Sequence, residues 1–558
     1  MRRLLATILV AVASIALAPA SGGAVAGPIA APVTFSPKDG TTLELEGRGA
    51  FAGSLEVRRS DGGLTVINDL SLDDYVAGIR EVPSSWPMEA LKAQAVAART
   101  YALWELQSGH WQKFGYDVCA TTDCQVYDGL VATSGQNGPR WAAAVKATSG
   151  QVLLYQGKPA LARYHSSDGG KTLANETVFP SDGPRPYLKS IDDPEDKASP
   201  LHAWRAIFST AELQQILHDA IGLRGDITNI SAKRDVDKVT IFTKNGEVDM
   251  TAVRFRQLVS DVAPKDFPNK FPEARPDGML MPFTLPSSRF DISKTPTGYN
   301  IDGIGYGHGV GMSQWGAKGR ADEGQSYTQI LGAYYIGLTP SMWDGPNTIR
   351  VAVERDEASA KITGDGTFAV STAGSDLASG TVGEWGISTS GVRSMSVQPP
   401  SGYALPLVLT GVRVPRRVLI DPPKNTSVDV GFVLPKTAVV TASLTRDGKR
   451  IGHGRTVSDA GERSMTLTPD AKKTVGGKSY KLVITADDGT TKISATRTLI
   501  LDRRGSGWVL RALVILVLVA AAMLVRRRVV LTRRANRRRS PSADMNHQPR
   551  TGMPFGSR

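Results

Sequence analysis

Cysteine is nearly absent from these 558 residues: Cys119 and Cys124 are the two that occur. A framework of several disulfides and a four-cysteine metal site are both excluded. Basic charge is missing where a nucleic-acid binder would need it. The formal net charge is +13, but the segment from Arg503 to the C-terminus holds thirteen arginines against one aspartate, and two more arginines stand at the N-terminus. What remains between is near neutral and has no basic patch to meet DNA or RNA. The first apolar run, Leu4 to Ala18, lacks the length and the following basic stop of a membrane span.

What that run does have is Arg2 and Arg3 before it and small residues after it, with exits after Ala20 or Ala26. Residues 1–26 are therefore expected to be a signal peptide. The other end differs. An apolar run spans residues 508–525, interrupted near its start by Arg511, whose long side chain can reach the interface. Eight arginines follow between Arg526 and Arg539. A hydrophobic span before an arginine block predicts a single membrane crossing with residues 526–558 as a basic cytoplasmic tail facing anionic lipid. The protein is expected at the cell membrane, single-pass, with its ectodomain outside. In an exported chain the close pair Cys119 and Cys124 is expected to form a disulfide rather than a redox or metal site.

Between the ends, Thr41 to Val66 alternates apolar and polar residues with glycine punctuation, which predicts short strands. Met88 to Gln107 has no Gly or Pro and is rich in Ala and Leu, which predicts a long helix, with Pro87 at its start. A shorter helix is expected at Trp141–Thr148. Residues 200–290 read as a mixed insert, with helices at His202–Ala220 and Thr251–Val262 and a strand at Val239–Thr243. A glycine-dense stretch, Gly303 to Gly324, leads into a helix around Thr328–Tyr335. Residues 345–402 are polar and strand-like and read as a β-rich linker segment. Residues 405–502 carry repeated β runs with turns at Asp447-Gly448 and Asp488-Gly489, which predicts an Ig-like β-sandwich acting as a spacer or binding module. The predicted fold class is α+β.

Glu81 lies at the Val82-Pro83 break before the long helix, in a loop rather than on a solvated helix face. Lys92 and Arg99 are two turns apart on that helix and so share a face. Two cations and a carboxylate would shift one another's pKa values and could hold a sugar or polyanionic substrate. The same residues also fit a solvated helix surface, and spacing does not decide between the two.

The block LDDYVAGIREVPSSWPMEALKAQAVAARTYAL (Leu72 to Leu103) resembles the signature of the SpoIID/LytB family: a D-Y segment, E-M-P, then E-A-L-K-A-Q-A-x-A-A-R-T-Y. YHSSDGGKT (Tyr164 to Thr172) is similar to the family's S-x-G-G-x-T turn, and RPYLKSIDDP (Arg185 to Pro194) to its Y-L-x-S-V segment. GYGHGVGMSQWGA (Gly305 to Ala317) is similar to G-x-G-H-G-x-G-M-S-Q-x-G-A, and ILGAYYIGL (Ile330 to Leu338) to the closing I-L-x-x-Y-Y. Five motifs in order cover residues 43–340.

The resemblance implies a catalytic domain over 43–340 that cleaves the MurNAc–GlcNAc bond of peptidoglycan without water, leaving 1,6-anhydro-MurNAc. Its partners would then be glycan strands. The LytB-like side of the family implies a second role, a non-catalytic glycan-binding enhancer of a cell-wall amidase. The family glutamate maps onto Glu81 as the acid/base, with Glu89 as the rival carboxylate. Lys92, Arg99, Tyr187 and Lys189 map onto polar residues lining the family's cleft. His308, Ser313 and Gln314 are expected to position substrate or shape the turn. Val82 stands where the motif has Met. No aromatic follows the Y-L-x-S segment, where Asp193-Pro194-Glu195-Asp196 stands, so a sugar-stacking platform is missing there. In parts of the family a Cys and a His near Cys119 and Cys124 bind zinc. Asp123 replaces that His, which favours the disulfide, with zinc as the alternative and no cofactor otherwise expected.

Overall fold

The computed structural model describes residues 26–234, 236–271, 284–420, 427–470 and 472–503, with Leu516 and Leu518. Among them no helix is long and apolar enough to cross a membrane. The expected signal peptide (but for Ala26), membrane span (but for those two leucines) and basic tail lie outside the described residues. The chain divides into two compact units, one up to Pro406 and one from Leu407. Both helices and many strands are present, so the class is α+β.

The first unit interleaves its two ends. One sheet has seven strands in the order Ser375–Thr381, Phe368–Thr372, Val33–Pro37, Ser54–Arg59, Leu64–Ser71, Thr348–Glu357 and Val118–Cys119. A second sheet has six, in the order Gly27–Ile29, Ser394–Gln398, Trp385–Ser390, Ser359–Gly364, Leu43–Leu45 and Gly49–Phe51. Alternation along Val33–Pro37 and Ser54–Arg59 buries Val33, Phe35, Leu55 and Val57 on one face. Phe35 of the first sheet meets Trp385 of the second edge-on, ring centroids 6.2 Å apart, so the sheets share an apolar core. The expected linker 345–402 is therefore corrected. Its strands pair with residues 27–71, because their apolar faces need those partners to be buried. The pattern of one segment does not reveal a pairing some 300 residues away.

A helical layer sits on the first sheet's connections. The long helix Met88–Ser108 ends at Gly109 in the left-handed conformation, whose N–H closes on the Glu105 carbonyl. It is buried on nearly every side, from Ala93 through Thr100, and not on one stripe. Helices Leu72–Ala77, Gly138–Ala147, Gln314–Asp322 and Tyr327–Tyr334 pack around it. The insert forms its own sheet, in the order Ala203–Ser209, Gly298–Ile304, Phe290–Lys294, Ile227–Ala232, Val239–Thr243 and Gly246–Met250. Helices Thr210–Ile221 and Ala252–Asp266 cover it over a separate core including Leu213, Phe255 and Tyr299. The helix expected from His202 is half strand: Ala203–Ser209 pairs with Gly298–Ile304, and Ser209 with Glu212 forms a capping box that starts the helix there.

The second unit has a three-stranded and a five-stranded sheet sharing one core, with Val430 and Phe432 from the first and Leu444, Leu482 and Ile484 from the second. Asp447 and Gly448, both at positive φ, turn Ala438–Arg446 into Lys449–Ser458.

Candidate active site

Glu81 is placed by a short antiparallel contact. Helix Leu72–Ala77 stops at Gly78, where an added Cβ would lie 2.3 Å from the Tyr127 ring. Ile79 then bridges to Tyr127, and the Arg80 N–H donates to the Val126 carbonyl (2.9 Å). The Glu81 carboxylate folds back and accepts the Val126 N–H at 2.7 Å. Cys119 and Cys124 are joined in a disulfide, with Cα atoms 5.5 Å apart. The Val118–Cys119 strand lies parallel to Val351–Ala352, so the bridge ties the turn leading to Gln125 and Val126 to the large sheet. Among the described residues no group of three or more His, Cys, Asp or Glu could hold a metal ion.

Around Glu81 the neighbours are amides and phenols. Gln125 is fully buried; its amide donates to Tyr75 Oη (2.9 Å), and its carbonyl accepts from Tyr164 Oη (2.7 Å). The Gln314 amide hydrogen-bonds the Glu81 carboxyl and also reaches Gln94 Oε1 at 3.4 Å. Burial raises the Glu81 pKa; the Val126 N–H and Gln314 work against it, and Asp128 adds to it. Among the described residues no cation pairs with Glu81. Tyr306, near enough to feel the Glu81 charge, is pushed up to about 12 by burial and is a neutral phenol. The arrangement is that of a carboxylic acid held half-buried and inclined to keep its proton.

The other predicted residues are divided by the fold. Gln314 is at the site. Arg99 is not: it is wholly buried and bonds Asp73 Oδ1 at 2.8 Å and the Gln151 carbonyl at 3.2 Å, tying three segments together. The shared face with Lys92 exists, but the helix is central, so at Arg99 that face is interior while Lys92 is half-buried. Lys92 pairs with Glu89 at 2.7 Å, and the other Glu89 oxygen accepts the Tyr327 N–H at 2.8 Å. Burial would raise Glu89, but Lys92 and that N–H together hold it below the usual range, unsuited to a general acid. Tyr187 is buried, with its oxygen accepting the Leu161 N–H at 3.0 Å. Lys189 is exposed. His308 accepts the Val310 N–H on Nδ1 (3.0 Å), and burial holds it neutral, well below its ordinary pKa. Ser313 is buried and caps Gln314–Asp322, accepting the Gly316 N–H at 3.1 Å. Arg99, Tyr187 and Ser313 thus support the fold and present no free group to a substrate. Gln94, Gln125 and Tyr164 escaped the sequence reading; a glutamine on an otherwise apolar helix was the available signal for Gln94.

The stretch 193–196 also acquires a role. Asp196 is fully buried and accepts from Ser167 Oγ (2.7 Å), Ser313 Oγ (2.8 Å), the Gly169 N–H (3.1 Å) and faces His202 Nδ1 (3.0 Å). Asp193 takes Arg320 (2.8 Å) and Tyr334 Oη (2.6 Å). A Cβ on Gly316 would sit 2.0 Å from Asp193 Oδ2, so only glycine admits that approach. Asp168 lies against both; burial first, then the charges of Asp193 and Asp196, push it up to about 9, so it is protonated. These aspartates knot the Ser-rich turn, the glycine-dense turn and the closing helix together.

A mixed α/β unit with one half-buried glutamate among amides and phenols is the class this geometry defines. The sequence model of the family described as Stage II sporulation protein (SpoIID) matches residues 60–155. Stage II sporulation protein D of Bacillus amyloliquefaciens is 32% identical over 289 residues, covering 50% of this chain and 76% of the relative. The amidase enhancer of Bacillus subtilis is 32% identical over 294 residues, 46% of this chain and 39% of the relative. An uncharacterized protein of Brachyspira hyodysenteriae is 33% identical over 311 residues, 55% of this chain and 75% of the relative. The chain belongs to the SpoIID family.

Proposed function

We propose that this protein is a peptidoglycan lytic transglycosylase with Glu81 as its one acid/base. The observation that carries the reading is a half-buried carboxyl that accepts the Val126 N–H and has no cation beside it among the described residues, so that burial raises its pKa. Protonated, Glu81 delivers its proton to the glycosidic oxygen as the C1–O bond of MurNAc breaks. As carboxylate, it takes the proton from the C6 hydroxyl of the same sugar, whose oxygen bonds to C1. One carboxyl group suffices, because the substrate supplies the nucleophile and no second residue has to activate water. Digestion of purified glycan strands tests this. Wild type should leave anhydro-MurNAc ends and Glu81→Gln none; reducing MurNAc ends, or equal cutting by Glu81→Gln, would overturn it.

The second reading is a glycan-binding enhancer of a cell-wall amidase, favoured by the relative that bears the name amidase enhancer. It takes precedence if wild type cuts no glycan yet stimulates an amidase. Under either reading the site faces the cell wall, with the C-terminal apolar run as anchor; this rests on the sequence of the two ends. A protease that cannot cross the membrane should shave the ectodomain from intact cells, and protection would contradict the placement.

A further inference from the structure

The stretch 193–196 gives no aromatic surface for a sugar ring, yet two tryptophans meet from the segments that carry Glu81 and Gln314. Trp315 directly follows Gln314, whose amide bonds the Glu81 carboxyl. Consecutive Cα atoms are about 3.8 Å apart, so the indole is anchored one residue from the acid's own partner. Trp86 belongs to the loop between Glu81 and the long helix. The two rings lie edge to face with centroids 5.0 Å apart.

Both sit on pinned main chain. The Trp315 backbone N–H donates to the Ser166 carbonyl at 3.0 Å. Arg140 donates to the carbonyls of Trp86 (2.9 Å) and Ser84 (3.3 Å), pinning the loop. Trp86 is buried and Trp315 is half-buried. Lys318 sets its ammonium 5.9 Å from the Trp315 centroid while pairing with Asp322 at 2.6 Å. A tryptophan that served only to plug the core would be covered like Trp86. A half-buried tryptophan packed against a buried one, one residue from the amide that meets the acid, has the make-up of a ligand wall: an aromatic surface with a few convergent polar groups.

We propose that Trp315, backed by Trp86, is the stacking platform of a sugar subsite beside Glu81, taking an N-acetylhexosamine ring of the glycan strand next to the scissile bond. The proposal rests on the glycan reading of the Glu81 site. Its role is binding: Trp315 holds the ring, and Glu81 moves the protons.

Soluble glycan oligomers without stem peptides are titrated against Glu81→Gln, which cannot consume them, and against the same protein carrying Trp315→Leu or Trp315→Tyr. Leucine keeps an apolar plug against Trp86 but offers no aromatic face. It should weaken binding roughly threefold to tenfold, the size of a lost aromatic contact, while tyrosine keeps most of the affinity. In the cutting enzyme Trp315→Leu should raise KM with little change in kcat. Equal affinity for the leucine and parent proteins overturns the subsite while leaving the Glu81 assignment intact. Failure of the parent to bind any glycan overturns both.

Discussion

The first unit holds a buried carboxylate centre and a half-buried one, and they are built in opposite ways. Asp193 and Asp196 are surrounded by compensation: Arg320, His202, two serine hydroxyls, a phenol and backbone N–H groups. Glu81 has one backbone N–H, one amide and no cation among the described residues. The first centre spends its charge on holding chain segments together. The second leaves its charge poorly compensated, so its proton stays within chemical reach at higher pH. Burial alone does not distinguish the two centres. The partners do.

The sharpest way to break this comparison is to exchange the charge at each centre for an amide. Glu81→Gln should lower glycan cleavage by at least ~10²-fold, up to ~10⁴-fold. Its urea midpoint should hold or rise, since ionising Glu81 in the fold is unfavourable. Asp196→Asn should do the reverse. Removing the charge under His202 and two hydroxyls should cost about 3 to 5 kcal/mol by urea unfolding, while the molecules that stay folded keep cutting. A stable Asp196→Asn protein without activity would erase the distinction.

A pH series sharpens it further. Asp168 binds its proton up to about pH 9 in the fold. The native state therefore holds one proton more than the unfolded chain from the ordinary aspartate range up to that value. Stability should fall as pH rises through this window, and Asp168→Asn should flatten the fall. At the other centre, Gln314 opposes the raised pKa of Glu81. Gln314→Met should move the alkaline limb of the activity profile up by about one pH unit, the worth of a hydrogen bond to a charged group. An unmoved limb would mean that Gln314 acts elsewhere.

The smallest effect is expected at the disulfide. Cys119→Ser with Cys124→Ser should cost about 2 kcal/mol, because the closed loop is short. Turnover should fall as well, since Val126 would hold Glu81 less firmly. Loss of stability with full turnover would detach the bridge from the site.

Local signals in the sequence were read well where structure is local. Helix Met88–Ser108, the Asp447-Gly448 turn and the break carrying Glu81 follow from composition and punctuation over a few residues. At Arg99, helix periodicity tells which residues share a face, and only packing tells whether that face is inside. Asp193 and Asp196 were read as a missing aromatic because their partners, Arg320 and Ser313, lie more than a hundred residues away. Gln314 was found through a motif. Gln125, which joins Tyr75 to Tyr164, belongs to none.

The interleaved sheets set an order of assembly. Gly27–Ile29 pairs with Ser394–Gln398, and Val33–Pro37 lies between Phe368–Thr372 and Ser54–Arg59. The strand Leu64–Ser71, which delivers the chain into the Glu81 segment, has Thr348–Glu357 as its outer neighbour. A polypeptide stopped at Leu338, after the last motif, would carry every residue named at the site and still expose bare edges on both sides of its oldest strands. Closing such distant pairs is slow, and until it happens those edges are open to other chains. The scaffold around Glu81 is thus completed last, by residues far from it in the sequence.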